Sequence, residues 1–161
     1  MNKIIIEKLD SKTFDNQVII KIAELLSDEY PDEFKSLKKF FKDWFTDIIP
    51  GEKMTFVARI DEKLIGIVRF WKSPYLHDYW LIEGLEVLKP YRRMGVATKL
   101  LEAGIEEFTQ ITHENLYVHI MNYNTASHKL HQKLNFVKCS CDGRDSFGTK
   151  RKNLERYQYM K

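Results

Sequence analysis

The stretch Leu85-Glu86-Val87-Leu88-Lys89-Pro90-Tyr91-Arg92-Arg93-Met94-Gly95-Val96-Ala97 decides how this chain is read. A strand-like segment, Tyr79 to Val87, ends inside it, and Pro90 interrupts any continuation. A helix follows from about Gly95 to Gln110, with Leu100, Leu101, Ile105 and Phe108 at inward positions. Physically, a strand turns and delivers Arg92, Arg93 and two small residues to a helix N-terminus. The first N–H groups of a helix lack intrahelical partners and carry the positive end of its dipole. Gly95 and Ala97 let the backbone come close to a ligand, so the turn suits a pyrophosphate. No Lys-Ser/Thr pair follows the glycine and no G-x-G-x-x-G occurs, which sets aside the two common nucleotide-loop motifs. Taken alone, the string is equally an ordinary basic helix start.

Outward from this junction the pattern alternates strands and helices. Asn2 to Leu9, with Ile4, Ile5 and Ile6, reads as a first strand. Asp15 caps a predicted helix to about Ser27, with Val18, Ile19, Ile22, Leu25 and Leu26 at helical spacing. A second helix is predicted from about Asp32, placing Phe34, Leu37, Phe41, Trp44, Phe45 and Ile48 on one face and lysines on a solvated one. Met54 to Ile60 and Leu64 to Trp71 read as a hairpin around Asp61-Glu62-Lys63. After the central helix come a strand at Leu116 to Met121, a helix at about Thr125 to Leu134, and two strands at Phe136 to Ser140 and about Leu154 to Met160. The order is β-α-α-β-β-β-α-β-α-β-β, an α/β or α+β plan. No repeat or linker divides the 161 residues, so a single domain over 1–161 is expected.

Composition narrows the class further. At 43% hydrophobic and 13% aromatic the chain has ample core material, and scarce Gly and Pro exclude collagen-like and disordered classes. The excess of 26 Lys+Arg over 23 Asp+Glu is only +3, too small to imply a nucleic acid or membrane partner. Cys139 and Cys141 lie two apart in a strand-like stretch, on one face, and read as a reduced structural pair, not a metal site. His128 and His131 at i, i+3 have no third ligand at metal spacing. Without a leader-like start or an apolar run of ~20 residues, the expected location is the cytoplasm.

Two strings together resemble a known family. Arg92-x-x-Gly95-x-Ala97, after Leu85-x-Val87 and Pro90, resembles the acyl-CoA signature of the GNAT superfamily of N-acetyltransferases. Downstream, Asn124-Thr125-Ala126-Ser127-His128-Lys129-Leu130-His131-Gln132-Lys133-Leu134-Asn135-Phe136 is similar to its N-x-x-A-x-x-L-Y-x-K-x-G-F motif. The element order also resembles the GNAT order, most specifically from about Tyr79 to Phe136. The resemblance implies a GNAT-type fold: a mixed central sheet of about six to seven strands flanked by about four helices. It implies an acyl-CoA-dependent N-acetyltransferase with acetyl-CoA as co-substrate and no metal. Leu85, Glu86 and Val87 would flank the pantetheine arm. Arg92, Arg93, Met94, Gly95, Val96, Ala97 and Thr98 would surround the pyrophosphate, and Asn124, Ser127 and His131 would touch the remainder. Ser127, His131 and Asn135 replace the usual Ala, Tyr and Gly. Asn135 is a mild change, because Asn tolerates a left-handed helix end. His131, with Glu83-Gly84 in the fourth strand, is similar to the aminoglycoside 6′-N-acetyltransferase subgroup.

Acetyl transfer to an amine needs a neutral nucleophile, a stabilised thioester oxygen and a leaving thiolate. Glu83, an ionisable group inside a strand, is the candidate base or substrate-orienting group; the plain alternative is an ion-paired Glu. By alternation Glu83 shares a face with Leu85 and Val87, and Glu86 lies on the other. Gly84 could mark a bulge that opens the strand pair. The resemblance assigns the Val87 N–H to the oxyanion, and His131 could hold or protonate the thiolate. Between Glu24 and Glu33 there are five acids and no base, with Tyr30 among them. Glu29, Tyr30 and Glu83 are therefore the candidate acceptor residues, suited to a small cationic amine. A non-catalytic acyl-CoA-binding module and a protein or peptide acceptor are the alternatives; an open groove beside the last two strands would favour the peptide. A monomer or homodimer is expected.

Overall fold

The computed structural model describes residues 2–76 and 79–161. Its elements run β1 (Ile5–Leu9), α1 (Asn16–Leu26), a 3₁₀ turn (Pro31–Glu33), α2 (Phe34–Phe45), β2 (Lys53–Ile60), β3 (Lys63–Ser73), β4 (Tyr79–Val87), a second 3₁₀ turn (Lys89–Tyr91), α3 (Val96–Ile111), β5 (Leu116–Met121), α4 (Thr125–Lys133), β6 (Phe136–Cys139) and β7 (Leu154–Tyr159). The strands form one seven-stranded sheet in the order β1-β2-β3-β4-β5-β7-β6. Neighbours are antiparallel except β4 and β5, which α3 joins as a parallel crossover. The expected mixed α/β architecture is therefore present.

Local chemistry accounts for most boundaries. The Asp15 carboxylate accepts from the Val18 N–H at 2.8 Å and starts α1. Pro31 opens a 3₁₀ turn, which delays α2 to Phe34. That helix stops at Phe45, and Asp47 adopts φ +58. Ile48 consequently lies beyond the helix and 67% exposed, not on its inner face as the periodicity predicts. Asp61, at φ +51, and Glu62 alone make the β2–β3 turn, with Ile60 paired to Lys63. Asn135, at φ +67, ends α4 in the left-handed conformation expected of it. The first strand begins at Ile5, later than Asn2.

Register assigns the two sheet faces. Arg69 and Trp71 of β3 meet α2, where Trp44 packs edge-on against Trp71 and donates to Thr55 Oγ1 at 2.8 Å. On the other face α3 covers Gly66, Phe70 and Trp80, the last packed on Phe108. α4 joins this second side through His128 on Tyr157, which pairs with Val118. A Cβ on Gly104 would overlap the Phe70 ring, so α3 rides unusually close to β3. Gly104→Ala is expected to cost about 1–3 kcal/mol of stability. The measurement is a lowered urea midpoint at unchanged m-value.

Candidate active site

β4 and β5 pair only over Trp80–Ile82 with Leu116–Val118. Beyond that, Glu83–Val87 and His119–Met121 carry no mutual ladder, and the sheet is split. The cause lies in β4. Arg69 pairs with Glu83 but Ile67 with Glu86, so Val68 faces two residues, Gly84 and Leu85. This is the bulge suspected at Gly84, which takes φ +58. One inserted residue resets the alternation. Glu83 and Glu86 therefore share the face of Arg69 and Ile67, correcting the opposite-face placement that strict alternation gives.

The backbone at the split is polarised. Leu88 donates its N–H to the Ile65 carbonyl at 2.9 Å, making Gly66–Val87 a non-hydrogen-bonded pair. The N–H and carbonyl of Val87 therefore point away from β3, toward the split. The carbonyl accepts from Arg92 Nε at 2.8 Å. Farther on, Arg93 at φ +65 and Gly95 at φ +78 turn the chain into α3, with no acid in its first turn. The first intrahelical bond runs from the Lys99 N–H to the Gly95 carbonyl, so the Val96, Ala97 and Thr98 N–H groups have no helical partner. The Val96 side chain is core and Met94 is 47% exposed. Orphan donors, a left-handed glycine and a first helical turn free of acids fit an anionic group such as a diphosphate.

Arg92 joins the acidic segment between α1 and α2 to the turn that precedes α3. Its Nη2 lies 3.1 Å from Glu29 Oε1 and 3.9 Å from Glu86 Oε2, tying the turn before α3 to the α1–α2 segment. These groups border a cleft of about 230 Å³ with Leu25, Leu26 and Leu37 as apolar walls and Asp28, Glu29, Tyr30, Glu33 and Glu86 as its polar rim. Burial pushes the Glu86 carboxyl up; Arg92 opposes this and Glu29 adds to it. Tyr30 is 62% exposed at the cleft edge.

Glu83 is the ion-paired residue that the plain alternative describes: its Oε2 lies 3.8 Å from Arg69 Nη2. The guanidinium carbon of Arg69 stands 4.9 Å from both the Phe40 and Trp44 ring centres. A Cβ on Gly84 would sit 2.6 Å from its Nη2. Arg69 Nη1 is buried with no hydrogen-bond partner, and burial pulls the guanidinium pKa down. On α4, Asn124 Oδ1 accepts from the Ser127 N–H at 3.2 Å as a helix cap. His131 is buried and its Nδ1 lies 2.8 Å from the Ser127 carbonyl, which can only accept. Nδ1 therefore carries the hydrogen, leaving Nε2 as a buried lone pair with no partner. Burial holds the His131 pKa below the usual range. His128 is spent on Tyr157 Oη at 2.8 Å and the Met121 carbonyl at 3.1 Å.

One site residue escaped the sequence reading. Leu81 pairs with Tyr117, so His119, two residues on, lies across the split from Glu83 on the same face. Neither ring nitrogen has a partner, and burial lowers its pKa to about 4. The available signal was a histidine at an inward strand position. Because its folded pKa is depressed, the stability that neutral His119 contributes is complete above about pH 6.5 and is lost as pH falls toward 4. Thermal melts across that range should show a steeper loss for the native chain than for His119→Gln. Gly95→Ala meets no atom within 4 Å. The left-handed strain alone should cost about 1–2 kcal/mol of stability, read as a lowered urea midpoint at unchanged m-value.

Cys139 and Cys141 are free thiols. Among the described residues no group of three or more His, Cys, Asp or Glu side chains is arranged to hold a metal. No helix there is long and apolar enough to cross a membrane.

The model of the acetyltransferase (GNAT) family matches residues 19–136. An N-alpha-acetyltransferase of Saccharolobus solfataricus is 30% identical over 140 residues, covering 80% of this chain and 82% of that one. Another from Sulfurisphaera tokodaii is 27% identical over 149 residues, covering 86% and 87%. The crystal structure of the PaiA N-acetyltransferase of Thermoplasma acidophilum, in complex with coenzyme A, superposes with a TM-score of 0.67 at 13% identity and covers 98% of each chain. At that identity the likeness is one of fold. A family match over most of the chain, on a split sheet that opens beside an anion-ready helix start, leaves one conclusion: this chain belongs to the GNAT acetyltransferase family.

Proposed function

We propose that this N-acetyltransferase acts on an α-amino group at the end of a peptide or protein chain. The observation that carries the reading is that, among the described residues, Glu83 and the two histidines beside the split are poorly matched to an alkylammonium. His119 has a pKa of about 4, His131 is held neutral by burial, and Glu83 is paired with Arg69. At pH 7 an α-amine of pKa ~8 is about one-tenth neutral, whereas a lysine-type amine is neutral in only about one molecule in 2,500. A site with weak bases suits the first. The two archaeal relatives named N-alpha-acetyltransferase support it too.

Acetyl-CoA supplies the activated acetyl thioester. The Val96, Ala97 and Thr98 N–H groups hold its diphosphate, and the Leu85–Val87 edge lines the arm. Met94, Arg93 and Asn124 border the same path. The Val87 N–H donates to the acyl oxygen as charge builds there, a contact worth several kcal/mol when well aimed. Glu83 accepts a hydrogen bond from the incoming neutral amine and orients it at the split. The nitrogen attacks the acyl carbon, the carbon–sulfur bond breaks, and the amine's surplus proton passes through solvent to the departing thiolate. Because Nε2 of His131 has no hydrogen at neutral pH, it accepts and does not donate. Ser127 backs that ring, with Oγ 3.3 Å from Nδ1. Glu29, Glu86 and Tyr30 shape the cleft for the first residue of the acceptor.

The acidic rim favours a second reading, a small cationic amine such as a polyamine or aminoglycoside. Release of free CoA, measured with a panel of peptides, polyamines and aminoglycosides, separates the two. The expected outcome is a higher kcat/KM for peptide α-amines at pH 7, rising up to about pH 8 as the amine deprotonates. A preference for alkylamines would replace this reading by the second; binding of acetyl-CoA without turnover of any acceptor would make the chain a binding module. Glu83→Gln is expected to lower kcat/KM by about tenfold, through loss of a charge-assisted hydrogen bond to the amine. His131→Phe should lower it by less than about tenfold, since the ring is not a proton source.

A further inference from the structure

The sheet face that carries Glu83 continues across the split onto β5 and β7. There β5 and β7 place His119 directly opposite Arg156 in register. The Arg156 guanidinium carbon lies 5.4 Å from the Tyr79 ring centre and 4.8 Å from that of Tyr117, held between two aromatic faces. Three buried nitrogens gather at this point with no hydrogen-bond partner, both ring nitrogens of His119 and Nε of Arg156, while Tyr79 and Cys139 engage the rest of that guanidinium. Buried polar atoms are almost always satisfied, and a cluster of unsatisfied ones next to a reaction centre marks a place for a ligand atom. The chemistry is specific. Arg156 Nε only donates, and a neutral imidazole offers one N–H and one lone pair. Asp142 and Asp145, on the segment between β6 and β7, are the acids whose charge reaches His119, and Asp145 is already paired with Arg151 at 2.8 Å.

We propose that His119 and Arg156 form the subsite for the first carbonyl group of the acceptor, the oxygen of an α-aminoacyl unit whose amine is held at Glu83. This rests on the α-amine reading and deepens it. Glu83 and His119 flank the split on one face, so an amine at the first places the neighbouring carbonyl of a peptide toward the second. The pair is a specificity device: a simple alkylamine fills the amine position and leaves the donors empty. Sites built to hydrogen-bond one substrate group reject analogues lacking it far more strongly than sites that sense only size.

The test compares leucinamide with isopentylamine, the same skeleton without the carboxamide. Each variant is compared with the native enzyme on the same acceptor, so the difference in amine pKa cancels. In Arg156→Met and His119→Phe, kcat/KM for leucinamide should fall at least tenfold further than for isopentylamine, mainly through KM. His119→Gln, which keeps a donor, should recover part of the loss. Equal losses on both acceptors, a loss confined to kcat, or no loss would overturn the subsite. If Arg156→Met does not fold, His119→Phe, a ring-for-ring exchange, decides. The underlying α-amine reading fails differently, through a native enzyme that acetylates lysine-type amines and leaves leucinamide untouched.

Discussion

The interruption of pairing between β4 and β5 is the constraint from which the rest of the site follows. A parallel pair normally continues until one strand ends. Here it stops after Ile82 and Val118, because the bulge at Gly84 bends β4 away. The bend frees the Val87 N–H from β3 and aims it into the gap. It also turns Glu83 and Glu86 to one face and brings backbone, not side chain, against the Arg69 guanidinium. α3 begins immediately beyond, so its orphan N–H groups stand at the end of the same gap. A gap in the sheet and a set of unpaired N–H groups at its end thus stand together, the first from the bulge in β4 and the second from the left-handed turn into α3.

Electrostatics around that gap is organised by two arginines with opposite surroundings. Arg69 is buried against the rings of α2 and meets a single carboxylate, Glu83, within ion-pair distance among the described residues. A buried charge is tolerable only with such compensation, so the pair couples the α2 packing to the mouth of the split. Arg92 is half exposed and spans Glu29 and Glu86, a weaker surface arrangement that links the α1–α2 segment to the turn before α3. The acid-rimmed cleft and the turn into α3 therefore share a residue.

Much of the fold was legible because it rests on local chemistry. Asp15 as a cap, Asp61 at a turn, Asn135 at a left-handed helix end and the apolar period of α3 all act within a few residues of themselves. The two motif strings located the α3 turn and α4 for the same reason. Gly84 was also readable as a bulge. Its consequence was not, since alternation counts residues along one strand and a bulge is defined by the partner strand. Ile48 was misplaced because the left-handed Asp47 ends the helical period that the apolar spacing continues.

The sequence by itself determined the family, the element order and the strand-to-helix turn with its unpaired N–H groups. These depend on residue type and spacing along the chain. Only the tertiary structure decided that Glu83 is paired with Arg69, that Arg92 reaches Glu29 across 63 residues, and that His119 stands opposite Arg156 beside the split. Those relations arise from register between strands distant in sequence and from what each side chain finds across the gap. Composition and periodicity carry no information about either.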